Sequence, residues 1–245
     1  MNDAKLRLGV SACLLGNEVR YDGGHKRNPF LTDLLGPFVE WVPICPEVEA
    51  GFGTPREAMH LVQDGGEVRL LTVRTRRDVT SELERAVAAR LRTMAGLDLD
   101  GYVLKKDSPS CGLFRVKLYG PSGAGKRSGR GLFAAGLADA QPLLPLEEEG
   151  RLGDPRLREN FIERVFAYRR LRELAAGAIR AGALMRFHAR HKLLLLFAGG
   201  VMNLTVIVGL TTFLLIEKLM PDAVQGGRVS GTLLVASGLY VAVLR

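Results

Sequence analysis

The chain has 245 residues, 47% of them hydrophobic and 24% charged, and a formal net charge of +8. This size and apolar content suit one or two domains with buried cores. The excess charge lies in one segment, because residues 155–192 carry ten Lys or Arg and three Glu, while residues 1–154 are formally neutral. A nucleic-acid binder usually carries its basic surface on the folded recognition domain, so this distribution argues against nucleic acid as a partner.

The N-terminal part of the chain alternates predicted strands with predicted helices. Apolar alternation predicts strands over residues 5–12, 38–45, 101–105 and 114–119, and a hairpin over residues 58–73. Helical periodicity and end signals predict helices over residues 29–35, 79–95 and 131–139. This alternation is typical of an α/β layered domain, to which we assign residues 1–153.

Helical segments are also predicted beyond this domain. Residues 154–192 are predicted to form a basic amphipathic helical segment, with Pro155 suited to its first turn. Residues 193–216 contain no charged side chain over 24 positions, which is long enough to span a bilayer, and residues 229–244 form a second uncharged run of 16. We therefore predict a transmembrane helical hairpin over residues 193–245. The alternative is a buried helical pair in a soluble protein.

The charge pattern also predicts how this hairpin is oriented. The basic segment directly precedes the long apolar run, as in the cytoplasmic flank of a membrane helix. The first ten residues are too short and too polar for a signal peptide. We therefore expect a cytoplasmic N-terminal domain attached to the inner face of a membrane by the C-terminal segment. Its cysteines would then lie in a reducing compartment.

The three cysteines each follow an apolar run that is predicted to be a strand. Cys13 ends K-L-R-L-G-V-S-A-C, Cys45 ends F-V-E-W-V-P-I-C, and Cys111 lies in S-P-S-C-G after G-Y-V-L-K-K. In sheets of this class, ligands bind beyond the carboxyl ends of the strands. The three thiols are therefore expected to belong to one site.

Three thiols in a reducing compartment suit more than one kind of site. A [4Fe–4S] cluster needs four ligands, so three cysteines would leave one iron open to bind a substrate's sulfur or oxygen as a Lewis acid. One alternative is a zinc site completed by His25 or His60. The other is a set of buried cysteines that hold no ligand, and the spacing alone leaves all three open.

Two polar residues beside these cysteines are candidates for proton transfer and substrate binding. Glu47 lies two residues after Cys45, where its carboxylate could move protons beside a metal. The alternative is a helix-capping or surface carboxylate. Ser108 lies three residues before Cys111 in a proline-containing turn, where it could hydrogen-bond a substrate or stabilise the turn.

A glycine-rich stretch, G-P-S-G-A-G-K-R at residues 120–127, nearly fits a phosphate-binding loop. The position after Lys126 requires Ser or Thr to hold magnesium, but it is Arg127, so nucleotide hydrolysis is not expected. We interpret the stretch as a flexible basic lid over an anionic or polar substrate. The alternative is a solvated glycine loop.

Several separated motifs resemble the thiouracil desulfidase family. They are V-S-A-C-L-L-G-N-E-V-R-Y-D-G-G-H-K, C-P-E-V-E-A-G-F-G-T-P-R, L-K-K-D-S-P-S-C-G, G-R-G-L-F-A-A-G-L and the stretch that begins L-P-L-E-E-E-G-R-L-G-D-P-R-L. The resemblance covers roughly residues 5–192. Beyond it, the tail resembles the end of a predicted metal-binding integral membrane family.

The resemblance implies a Rossmann-like catalytic domain with a [4Fe–4S] cluster on Cys13, Cys45 and Cys111. It implies an enzyme that removes sulfur from a thiolated pyrimidine or similar thioamide-like small molecule without redox change. Water attacks the carbon, and Glu47 and Ser108 match the assisting carboxylate and serine.

The expected partners are accordingly a thiolated nucleobase and, through the hairpin, a membrane. Whether the chain forms a homo-oligomer is left open. One alternative function is a membrane-anchored protein that binds metal or sulfide without turnover. Another is desulfuration of a thiolated nucleotide or tRNA, although clustered cations for a large polyanion are missing from the neutral domain.

Overall fold

The computed structural model describes residues 5–120, 123–177 and 181–198, and for residues 181 and 192–198 it describes the backbone alone. The chain divides into two compact units, Met1–Phe187 and His188–Arg245. All of the strands described below belong to the first unit.

The described residues form eight strands and five α-helices. The strands are β1 (Leu6–Ser11), β2 (Val39–Ile44), β3 (Met59–Asp64), β4 (Glu67–Thr72), β5 (Gly101–Leu104), β6 (Val116–Tyr119), β7 (Gly125–Gly129) and β8 (Leu146–Glu148). The helices are α1 (Pro46–Glu49), α2 (Thr80–Met94), α3 (Leu132–Ala140), α4 (Pro155–Ala175) and α5 (Ala181–Ala198). Shorter helical turns cover Ala12–Leu15, Phe30–Leu35, Gly36–Phe38 and Arg151–Gly153.

The strands form two four-stranded sheets. The first has the order β2-β1-β5-β8 and is parallel throughout. The second has the order β4-β3-β6-β7, with antiparallel outer pairs and a parallel central pair. In the first sheet, β2 lies on one side of β1, and β5 and β8 lie on the other side. The strand order therefore reverses between β1 and β5. Such a reversal leaves a crevice at the carboxyl ends of the strands, where ligands bind in folds of this type.

Helices cover both faces of the parallel sheet. Tyr102 and Leu104 of β5 belong to a core cluster with side chains of α2 and α3, while Val103 between them belongs to a second cluster with Phe161 and Val165 of α4. This alternation follows from the two-residue period of a strand. Both faces of the sheet are therefore buried at β5, whose four residues are all buried.

A buried aspartate ties α4 to the parallel sheet. Asp100 is 2% exposed and accepts hydrogen bonds from the Arg7 backbone N–H (2.8 Å) and from Nη2 of Arg172 (2.6 Å). At the other end of the helix, Asp154 caps α4 and accepts from the backbone N–H groups of Arg156 and Leu157, with Pro155 in the first turn as predicted.

The structure confirms the predicted mixed α/β architecture. The elements predicted between residues 5 and 140 are present, with ends that differ by at most two residues. Strands β7 and β8 were not predicted, because three to five residues with charged or glycine positions carry little periodic signal.

The prediction of a flexible lid at residues 120–127 was wrong for the part that enters β7. Lys126 pairs with Leu118 of β6, and Nη1 of Arg127 lies 2.8 Å from Oδ1 of Asp107. Strand pairing therefore fixes the basic end of this stretch.

The predicted transmembrane hairpin, residues 193–245, lies outside the described residues except for the backbone of 193–198 in α5. Within the part of the chain that is described, no helix combines the length and the apolar character needed to cross a membrane.

Gly9 provides a test of the packing between β1 and β5. It lies opposite Tyr102, and a Cβ atom at Gly9 would lie 2.1 Å from the ring. We expect Gly9→Ala to lower the free energy of unfolding by about 1–3 kcal/mol through overpacking. Gly153→Ala is the control, because nothing lies within 4 Å of its Cβ position, and its effect should stay within about 0.5 kcal/mol. Thermal unfolding measures both, and equal melting temperatures for the two variants would contradict the packing argument.

Candidate functional site

The three cysteines line one cavity at the carboxyl end of the parallel sheet. Cys13 lies in the helical turn that follows β1, Cys45 directly follows β2 and precedes α1, and Cys111 lies in the loop after β5. The cavity has a volume of about 420 Å³. Since β1 and β5 flank the reversal of strand order, the fold brings the three thiols to the crevice predicted from the sequence.

The glycine-rich loop of residues 13–28 closes back onto the first cysteine. The backbone N–H of Lys26 donates to the carbonyl of Cys13 (2.8 Å), and that of Asn28 donates to the carbonyl of Leu14 (2.8 Å). The same loop reaches the second cysteine, because Sγ of Cys45 lies 3.9 Å from the carbonyl oxygen of Val19. The loop therefore forms one wall of the cavity.

Burial makes all three thiols weak acids. It raises the pKa of Cys13 to about 11, and the positive charges of Lys105 and Arg20 act against this rise. Burial also raises the pKa of Cys45 and that of Cys111. The thiols interact electrostatically, because negative charge on Cys45 further raises the pKa of Cys13 and of Cys111. Three thiolates would therefore need a bound cation between them to be stable.

The arrangement fits a cluster better than a single metal ion. All three cysteines are free thiols. Among the described residues, no three His, Cys, Asp or Glu side chains converge as ligands of one metal ion. In a multi-iron cluster each thiolate binds a different iron, so the thiolates must surround the space that the cluster fills. Three thiols surrounding a cavity meet that requirement.

The histidines proposed for a zinc site lie elsewhere in the described structure. His25 is exposed, and its Nδ1 accepts from the backbone N–H of Arg27 (3.2 Å). Nε2 of His60 lies 3.0 Å from Nη1 of Arg76, and the His60 ring packs edge-on against Tyr119. Neither histidine lines the cavity that holds the cysteines, so neither is placed to complete a zinc site there.

Glu47 lies in α1 and lines the cavity. Its Oε2 accepts from both Nε (2.9 Å) and Nη2 of Arg56, and its Oε1 accepts from Oγ of Ser110 (2.7 Å). The carboxylate is 12% exposed and the guanidinium 7% exposed. These bonds hold the carboxylate in one orientation at the cavity wall.

The two serines of S-P-S-C have different partners. Oγ of Ser108 accepts from the backbone N–H groups of Ser110 (3.2 Å) and Cys111 (3.1 Å), so the turn-stabilising alternative is correct as far as these bonds go. Because the hydroxyl accepts both bonds, its own proton stays available for donation into the cavity that Ser108 lines. Ser110 is fully buried and donates to Glu47, a role that sequence reasoning missed although the motif contains both serines.

Basic side chains around the cavity were also missed. The lining includes five of them, Arg20, Lys26, Arg56, Lys105 and Lys106, against two carboxylates. Lys105 is 17% exposed, and its Nζ contacts Oε1 of Glu149 and the carbonyl of Lys106 (2.9 Å). The neutral net charge of residues 1–154 concealed this basic lining, because carboxylates of the same segment pair with four of the five side chains, namely Asp22, Glu47, Asp107 and Glu149.

Comparison with known proteins places the site within a family. A family model described as 2-thiouracil desulfurase matches residues 8–149, and a second model, described as copper chaperone, matches residues 165–241. An uncharacterised protein of Bacillus subtilis, YbbK, is 33% identical over 137 residues, which cover 54% of this chain and 89% of YbbK.

A solved structure is also similar to this chain. It is described as the [4Fe-4S]-dependent thiouracil desulfidase TudS, and it matches with a TM-score of 0.52 and 31% sequence identity over 65% of this chain and 99% of TudS. The first family model spans more than half of this chain and includes all three cysteines together with Glu47 and Ser108. The chain therefore belongs to the 2-thiouracil desulfurase family of enzymes.

Proposed function

We propose that this chain removes sulfur from a thiolated pyrimidine or a similar thioamide-like small molecule and releases sulfide. We further propose that Cys13, Cys45 and Cys111 hold a [4Fe–4S] cluster at the cavity. The observation that carries the proposal is the convergence of three free thiols, two buried and one partly buried, on one cavity in a chain of this family. The [4Fe-4S] dependence of the structural relative supports the same cofactor.

The overall reaction needs no oxidant or reductant. Water supplies the oxygen that replaces sulfur on carbon, and its two protons leave with the sulfur as hydrogen sulfide. When bound through three thiolates, the cluster supplies an iron without a protein ligand, which is a Lewis acid with affinity for sulfur. The protein must then orient the substrate and move protons between water and the departing sulfur.

Glu47 is the residue suited to activate water. Its carboxylate lines the cavity, and the bonds from Arg56 and Ser110 fix its position. A carboxylate held in this way can accept a proton from attacking water and return it to sulfur. The Ser110 hydroxyl, which donates to Oε1 of Glu47, can rotate when that oxygen gains or loses a proton.

Ser108 and Lys105 are suited to bind the polar part of the substrate. The Ser108 hydroxyl accepts two backbone N–H groups and has its proton left to donate. The Lys105 ammonium lies near Cys13, so it can stabilise negative charge that develops on the substrate or the leaving sulfur. These groups favour a small thione with polar ring atoms over an apolar ligand.

The cluster ligands can be tested through Cys13. We expect anaerobically reconstituted full-length protein to contain iron and acid-labile sulfide and to release sulfide from 2-thiouracil over many turnovers. Cys13→Ser should lose cluster binding, because a serine hydroxyl is a poor substitute for a thiolate on iron. A full cluster in this variant would exclude Cys13 as a ligand. Sulfide release that stops at one equivalent would instead favour binding without turnover.

The role of Glu47 can be tested against its neighbour on the same short helix. Glu47→Ala should retain the cluster and lower kcat by about 100-fold or more, because proton transfer is lost. Glu49→Ala is the matched control, since Glu49 pairs with Arg90 and does not line the cavity. Its turnover should stay near that of the unmodified protein. Normal turnover in Glu47→Ala would remove Glu47 from the mechanism.

We also propose that residues 193–245 attach the enzyme to the inner face of a membrane. The support is the uncharged run of 24 residues at 193–216, preceded by a basic segment. The full chain should then sediment with membranes and resist alkaline carbonate extraction. Leu204→Arg, at the centre of the run, should release part of it, whereas Gln225→Arg in the polar turn should not. Full-length protein found entirely in the soluble fraction would contradict the proposal.

A further inference from the structure

The three consecutive glutamates of L-P-L-E-E-E lie at the end of β8, next to the site. Glu148 pairs with Leu104 at the carboxyl end of β5, which leads into the loop that carries Cys111. Glu149 contacts the start of that loop at Lys105 and Lys106, whereas Glu148 contacts it just after Cys111.

Glu148 binds the backbone of that loop. Its Oε1 accepts from the backbone N–H of Leu113 (2.8 Å) and from that of Phe114 (3.0 Å). Glu148 is 3% exposed, and its bond from Leu113 is buried while that from Phe114 is partly buried. A carboxylate that accepts two backbone N–H groups makes strong, directional bonds, and its removal would leave both donors without this acceptor.

Other hydrogen bonds fix the rest of the same loop, whereas the N–H groups of Leu113 and Phe114 bind Glu148. The Gly112 N–H donates to the carbonyl of Ser108 (2.8 Å), and the Gly131 N–H donates to the carbonyl of Gly112 (2.7 Å). Nε of Arg130 donates to the carbonyl of Leu113 (3.2 Å). These bonds shape the turn around Gly112. Glu148 binds Leu113 and Phe114, which follow that turn, and so links them to β8 of the parallel sheet.

We propose that Glu148 is a positioning residue for Cys111, fixing the loop so that the thiol faces the cavity before any cofactor binds. The inference rests on the proposed function only in naming the cluster as the group that Cys111 holds. A preformed loop lowers the conformational cost of ligation, which favours cluster uptake.

The neighbouring glutamate supplies a matched control. Glu147 is also 3% exposed, but its carboxylate pairs with Nε of Arg151 (2.8 Å) and lies 3.6 Å from Nη2 of Arg164. Within the described residues, its side chain is not hydrogen-bonded to the loop that carries Cys111. Glu147→Ala therefore removes a carboxylate of equal burial that accepts from the backbone N–H of Glu148 (3.0 Å) and leaves the Glu148 side chain on the loop in place.

The first measurement is differential alkylation of the full-length protein without cofactor, read for each cysteine by mass spectrometry. We expect the alkylation rate of Cys111, relative to that of Cys13 and Cys45 in the same molecules, to rise roughly ten-fold or more in Glu148→Ala. The ratio should stay near the unmodified value in Glu147→Ala. Glu148→Gln should also stay near it, because the amide oxygen can accept both N–H groups.

The second measurement is iron and acid-labile sulfide after anaerobic reconstitution of the same variants. Glu148→Ala should lose most of its cluster, while Glu148→Gln and Glu147→Ala should retain it. An unchanged Cys111 ratio in Glu148→Ala, or an equal rise at all three cysteines, would overturn the positioning role. If the unmodified protein binds no cluster, the proposed function fails, and the alkylation ratio still decides the role of Glu148.

Discussion

Three free thiols brought together at the end of one parallel sheet, two buried and one partly buried, form the constraint on which the site depends. Burial raises the pKa of each of them, and each thiolate would make the next less favourable. Such a group is stable in its ionised form only with a cation between its members. The site is therefore built to hold a cofactor, and the surrounding structure serves to keep the thiols at their positions around the cavity.

The parallel sheet supplies those positions through its strand order. Because β1 lies between β2 and β5, the cysteines that follow these strands reach the same edge. Gly9 allows the Tyr102 ring to lie against β1, and Asp100 links Arg7 of that strand to Arg172 of α4. The core thus fixes the relative placement of the strands, and the strands fix the thiols.

Ion pairs hold the charged side chains of the cavity wall in position, and the net charge of the chain does not reveal them. Glu47 is paired with Arg56, and Lys105 with Glu149, so these charged side chains of the cavity wall are held by opposite charges. Pairing of this kind lowers the cost of keeping charged side chains in a partly buried space. It also orients them, which matters more for catalysis than their number.

The sequence by itself determined the α/β architecture, most element boundaries, the cysteine set and the carboxylate beside it. Those features depend on local periodicity and on motifs that each occupy one short stretch. Only the tertiary structure decided that Ser110 binds Glu47, that Glu148 holds the Cys111 loop and that β7 pairs with β6. These contacts join residues that are distant in sequence or lie on short irregular segments. Their partners are selected by packing, because no local pattern specifies which side chain a buried donor will meet.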